Sequence, residues 1–167
     1  MICSTDDAAK ALRKALKEEL GYNARQVSVR KHLYSMGSSL YVTIRARGVD
    51  KAKVTEIANR AQIIRYCEVT QEILSGSNRF VNVDFDRKLV DEASLKVAGE
   101  VDEACKMAQE RPGYTFEAFG WNIWWCDVNR EFVLYQDEKD MNTDKSHRAH
   151  NQSSCVRIIA EHLIQQG

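Results

Sequence analysis

The chain has little that bends, links or cross-links. Its 167 residues include one proline, Pro112, and eight glycines, so long flexible linkers are not expected. No run approaches the roughly 18 uninterrupted apolar residues of a membrane span. The first ten residues lack the apolar core of a signal peptide and carry Asp6 and Asp7. The expected place is therefore the cytoplasm of the cell in which the chain is made, with no membrane partner. Net charge is also missing, because 24 Lys and Arg balance 24 Asp and Glu. Cys3, Cys67, Cys105, Cys126 and Cys155 form no Cys-x-x-Cys pair and are odd in number. They read as reduced, mostly buried thiols.

The common chemical signatures are absent too. There is no Gly-rich phosphate loop followed by Gly-Lys-Ser/Thr, no Gly-x-Gly-x-x-Gly and no Gly-x-Ser-x-Gly. His147 and His150 have a zinc-compatible spacing, but only His162 or Cys126 could complete a ligand set, and spacing implies neither. Cys155 near His150 and His162 is the one local thiol–base arrangement. Asp84 and Asp86 share a strand face, as carboxylates that hold Mg²⁺ can, yet no third ligand goes with them. The expectation is no catalytic residue, no metal and no cofactor. A small metal-dependent or thiol enzyme is the least favoured alternative.

What is present is an ordinary globular composition, 44% hydrophobic and 29% charged, with enough apolar side chain to offset chain entropy. The balanced charge is unevenly placed. Residues 1–88 hold 16 Lys and Arg against 10 Asp and Glu, whereas residues 89–167 hold 8 against 14. That asymmetry suits a polyanion-facing side, halves that attract each other, or scattered solvated charge.

Periodicity supplies the elements. Ala8, Ala11, Leu12, Ala15, Leu16 and Leu20 recur at helical spacing behind Ser4 or Thr5 as a cap, and Gly21 is a natural stop. Gln26–Arg47 alternates at period 2 on both sides of a loop built on Met36, Gly37 and Ser38, which predicts a hairpin. Asp50 caps a predicted second helix over Lys51–Gln62, residues 63–74 are ambiguous, and Ser75–Asn78 is a turn. Arg79–Asp86 reads as a third strand and 87–110 as the longest helix. Beyond Pro112, Tyr114–Gly120 and Trp121–Cys126 read as extended, and Glu131–Gln136 as a returning strand. This aromatic hairpin is either buried on both sides or displayed as a patch. Asp137–Gln152 reads as a polar loop, with Ser153 or Ser154 capping a last helix.

These elements make an α+β fold: an antiparallel sheet covered by helices, an additional aromatic β-hairpin and a C-terminal helix. Residues 1–88 form one helix-hairpin-helix-strand unit. Residues 89–167 form the other, and the two are expected to pack as one body. The outer face of the first sheet would gather Arg30, Tyr41, Arg45, Arg47 and Phe80, with Lys31 beside them. Aromatic rings that stack on bases, next to cations that neutralise phosphates, are the equipment of single-strand binders. That face is either an open recognition surface or one covered by the second half.

Four stretches carry a resemblance: Ala11-Leu-Arg-Lys-Ala-Leu-Lys17, Val27-Ser-Val29, Met36-Gly-Ser-Ser-Leu-Tyr-Val-Thr-Ile-Arg45 and Arg79-Phe-Val-Asn-Val-Asp-Phe85. Over roughly residues 8–86 the chain resembles a domain associated with large polyvalent proteins of phages and conjugative plasmids. The resemblance rests on core positions and a turn, and supplies no catalytic residue. It implies a mobile-element protein that binds a host defence protein or ribonucleoprotein, as an anti-CRISPR or antirestriction inhibitor does, or one that handles nucleic acid directly.

Overall fold

Ser4 starts the first helix by accepting a hydrogen bond from the Asp7 N–H at 3.1 Å. A computed structural model of the chain describes residues 4–35, 37–74 and 78–167. Cys3, Met36 and most of the turn expected at Ser75–Asn78 lie outside the described residues. The chain divides into two units, Met1–Asp86 and Arg87–Gln166.

In the first unit, α1 (Thr5–Leu20) buries Ala8, Ala9, Leu12 and Leu16. Left-handed Gly21 ends it, donating to the Lys17 carbonyl while Tyr22 donates to that of Leu16. β1 (Val27–Tyr34) and β2 (Gly37–Ile44) form the antiparallel hairpin. The strands run further into the tip than expected, because Gly37 and Ser38 open β2 instead of forming the loop. Gly37 is needed there: a Cβ at this position would lie 2.7 Å from the Asn78 carbonyl oxygen of the neighbouring strand.

α2 (Lys51–Asn59) is capped by Asp50, which accepts from the Lys53 N–H at 3.1 Å. It ends before the expected Gln62, in a tightened turn where Arg60, Ala61 and Gln62 donate to carbonyls three residues back. The ambiguous stretch has no strand of its own; isolated bridges join Ile63 to Arg79 and Tyr66 to Ile73. β3 (Asn78–Phe85) completes the order β1-β2-β3 but pairs with β2 in parallel. The sheet is therefore not purely antiparallel, because the α2 connection crosses over and returns the chain in the same direction. α1 and α2 cover one face, burying Val27, Val29, Leu40, Val42, Ile44 and Phe85 with Val54, Ile57 and Ala58.

The second unit begins with α3 (Arg87–Glu110), whose buried stripe is Ala93, Val97, Val101, Ala104, Cys105 and Ala108. Small residues let it lie close to α4 (Gln152–Gln166), which buries Cys155, Val156, Ile159, Ala160 and Ile164. Asn151, not Ser153 or Ser154, caps α4: its Oδ1 accepts from the Ser154 N–H at 2.8 Å. An antiparallel sheet in the order β4-β5-β6-β7 comprises β4 (Thr115–Ala118), β5 (Trp121–Cys126), β6 (Glu131–Tyr135) and β7 (His147–Ala149). Phe119 and Gly120 both have positive φ, which fits the two-residue turn joining β4 to β5. Every residue of β6 is buried, so the returning strand is enclosed on both faces. β7 lies within the stretch expected to be loop.

Candidate binding face

Strand pairing decides which side chains share the face of β1-β2-β3 turned away from α1 and α2. Cross-strand neighbours point the same way. Arg30 is opposite Tyr41, and Tyr41 is beside Asn82. His32 is opposite Ser39, which is beside Phe80. Arg30, His32 and Tyr34 are exposed, Tyr41 is 47% exposed and Phe80 is half-buried. The His32 ring centroid lies 6.0 Å from that of Tyr34 and 6.4 Å from that of Tyr41, the latter edge-on.

Arg30, Tyr41 and Phe80 thus share one face. Arg45 and Arg47 follow the end of β2 and are exposed. Arg45 Nε sits 4.0 Å from Asp86 Oδ2. Lys31 belongs elsewhere. It has the parity of Leu40, on the helix side, and its ammonium donates to Asp6 of α1. That hydrogen bond, ahead of the opposing effect of burial, holds the Asp6 carboxyl below its usual value. Adjacent residues of a strand point to opposite faces, so Lys31 cannot share the face of Arg30. His32 and Tyr34 join the face by the same alternation, which continues past Arg30 to the end of β1.

The other candidate chemistries separate in space. Asp84 lies 3.6 Å from the Lys51 ammonium, and Asp86 lies beside Arg45. Cys155 is fully buried, and a hydrogen bond with Cys105, reinforced by burial, pushes its thiol well above the usual value. This is opposite to what a nucleophile requires. The thiol held low is Cys67, which is hydrogen-bonded by the Thr70 side chain and by backbone N–H groups of Thr70 and Val69. His147 lies on β7, where it is exposed, and packs against Trp121 at 5.4 Å between centroids. Among the described residues, no group of three or more His, Cys, Asp or Glu side chains is placed to hold a metal ion, and no helix is long and apolar enough to cross a membrane.

His162 stacks edge-on against Trp121 at 5.1 Å and contacts Gln136 and Gln166 through Nε2. Burial first, and the charge of His147 second, lower its pKa from the usual 6.5. The fold therefore favours the neutral ring, and the unfolded chain binds the proton more tightly. The stability this confers is complete above about pH 6.5 and is lost as pH falls below it. Lowering pH from about 7.5 to about 5.5 is expected to destabilise the second unit, as read by tryptophan fluorescence. His162→Gln should flatten that decline, and an unchanged slope would refute the assignment.

Comparison with protein-family models, curated proteins and solved structures yields no match.

Proposed function

We propose that this is a non-enzymatic binding protein that recognises a macromolecular partner through the outer face of β1-β2-β3. The observation that carries the reading is the cluster of Arg30, His32, Tyr34 and Tyr41 on a sheet whose helices lie on the opposite side. Large, half-exposed aromatic rings beside an arginine are the side chains that dominate interface energies. The resemblance over residues 8–86 supports a narrower form: a phage or plasmid protein that occupies a surface of a host defence complex, of the CRISPR or restriction kind, and so blocks it in the host cytoplasm.

A second reading uses the same face for single-stranded nucleic acid, with Tyr41 and Phe80 as stacking platforms and Arg30, Arg45 and Arg47 as phosphate contacts. The exposed rings favour it. The charge of the face weighs against it, because Asp84 and Asp86 belong to the same side as Tyr41 and Arg45 is close to Asp86. A mixed-charge face matches a protein surface better than a uniform polyanion.

Capture of partners from a host lysate, with and without nuclease, separates the two readings. Nuclease-resistant capture is expected. Tyr41→Ala should weaken it by about 5- to 30-fold, as loss of an aromatic anchor worth roughly 1–2 kcal/mol would. Undiminished capture by the Arg30→Ala/Tyr41→Ala double variant would remove this face from the function. Nuclease-sensitive capture, with a steep loss of affinity as salt is added, would establish the second reading.

A further inference from the structure

The edge of the same sheet shows a different feature. The Arg45 N–H donates to the Gln26 carbonyl at 2.7 Å, which makes Gln26 and Arg45 a hydrogen-bonded pair across the hairpin. In an antiparallel ladder such pairs alternate. Ser28, Arg30, His32 and Tyr34 therefore turn their backbone groups toward β2, and Val27, Val29, Lys31 and Leu33 turn theirs outward. Two contacts agree with this parity. The Val27 N–H goes to the Asn23 carbonyl at 2.9 Å, and the Val29 carbonyl accepts from the Arg13 guanidinium at 2.6 Å. No described residue closes the outward groups of Lys31 and Leu33 in the same way. An uncovered strand edge is a template for another strand.

α1 forms a wall along this edge. Arg13 reaches Val29, and Asp6 reaches Lys31. Asp6, Lys10, Arg13 and Lys17 are spaced by four, three and four residues, which puts them on one stripe of the helix. The single acid of that stripe is already engaged by Lys31, and the three cations are exposed. At the Val27 end the groove deepens into a cavity of about 280 Å³, with Leu16 and Val27 on its apolar side and Arg13, Lys17 and Tyr22 around it.

We propose that the groove between α1 and the free edge of β1 binds an extended acidic peptide segment of a partner protein, which adds to the sheet beside β1. Backbone groups of Lys31 and Leu33 supply the pairing, Lys10 and Lys17 of α1 meet carboxylates of the peptide, and the cavity takes one apolar side chain. The edge favours a peptide over a nucleic acid because it offers donors and acceptors in alternation, at the repeat of about 6.8 Å that another strand matches. A phosphodiester chain carries no backbone donor to answer the carbonyls. A second copy of this chain is disfavoured because it would bring two basic α1 stripes together. The site is separate from the outer face, and the substitutions that test it leave Arg30 and Tyr41 in place.

The probe is a fluorescein-labelled peptide of alternating valine and glutamate, titrated with the full chain and followed by anisotropy at about 50 mM salt. A valine–lysine peptide and a thymidine oligonucleotide serve as comparisons. Saturable binding of the acidic peptide below about 1 mM is expected, with amide shifts and slowed exchange at Lys31 and Leu33. Leu33→Pro removes an outward N–H without touching the ladder to β2, so binding should fall at least about tenfold. The Lys10→Glu/Lys17→Glu variant, whose changes are on the surface of α1, should lose it to the same degree. No binding of the acidic peptide, equal binding of the lysine peptide, or retained binding in both variants would overturn the proposal. Preferential binding of the oligonucleotide would do the same.

Discussion

Replacing Phe132 with alanine is expected to lower the stability of the second unit by about 3–5 kcal/mol. Phe132 is 1% exposed near the start of β6, its ring centroid lies 4.8 Å from that of Trp125, and its cross-strand neighbour on β7 is Ala149. Alanine there removes a large buried surface and leaves a cavity between the Trp125 ring and the Ala149 methyl group. At roughly 0.05–0.15 kcal/mol per residue, a unit of this length holds about 4–12 kcal/mol in all. The loss is therefore a large share of the whole. Trp121, Trp124 and Trp125 are the only tryptophans in the chain and all belong to this unit, so denaturant unfolding followed by tryptophan fluorescence reports on it directly. The transition midpoint should drop strongly in Phe132→Ala and little in Val128→Ala, where the side chain is 92% exposed. A loss below about 1 kcal/mol in Phe132→Ala would mean that β6 is not the packed centre of the unit.

How much of this was legible in the sequence depends on whether the deciding physics is local. α1 and α3 are legible because a helix closes its own hydrogen bonds, so period, cap and stop residues specify it within the segment. The placement of Arg30 and Tyr41 on one face is legible because alternation fixes direction within a strand. The pairing of β2 with β3 is not. Alternation in Arg79–Asp86 says which residues are apolar together, but not whether the strand runs with or against its neighbour. β7 has three residues, too few to show a period. The face of Lys31 follows from alternation alone; its tie to Asp6 bridges 25 residues and needs the fold.

The free edge is a sharper case of the same limit. Both the outward groups of Lys31 and the cation stripe of α1 can be written down residue by residue. That they form one groove depends on α1 lying against β1, and on the register that turns Val29 outward toward Arg13. The positive excess of residues 1–88 is thus resolved in part into a feature with direction. It runs along a strand edge, not across the mixed-charge sheet face that carries Tyr34 and Tyr41.

Leu16→Ala tests that arrangement at its base. Leu16 is 1% exposed, packs from α1 onto the sheet and forms part of the cavity wall with Val27. Truncation should cost about 2–5 kcal/mol, the range for leucine in a well-packed core, because the rigid backbone of α1 cannot collapse onto the strand to refill the space. Leu16→Met, which keeps the volume, should cost less than about 1.5 kcal/mol. No tryptophan reports on this unit, so hydrogen exchange is the measurement. Amides of α1, β1 and β2 that exchange through opening of the unit should speed up by roughly 30-fold to several-thousand-fold, at a factor of ten for each 1.4 kcal/mol. Arg13 and Lys17 flank Leu16 on the helix and keep their charges in the variant. The peptide-binding groove should then weaken only as far as α1 loosens, with Leu16→Met retaining affinity that Leu16→Ala loses. Equal losses in the two variants would show that the groove depends on the shape of this one side chain. Full affinity in Leu16→Ala, together with accelerated exchange in α1, would show that the strand edge binds without its helical wall.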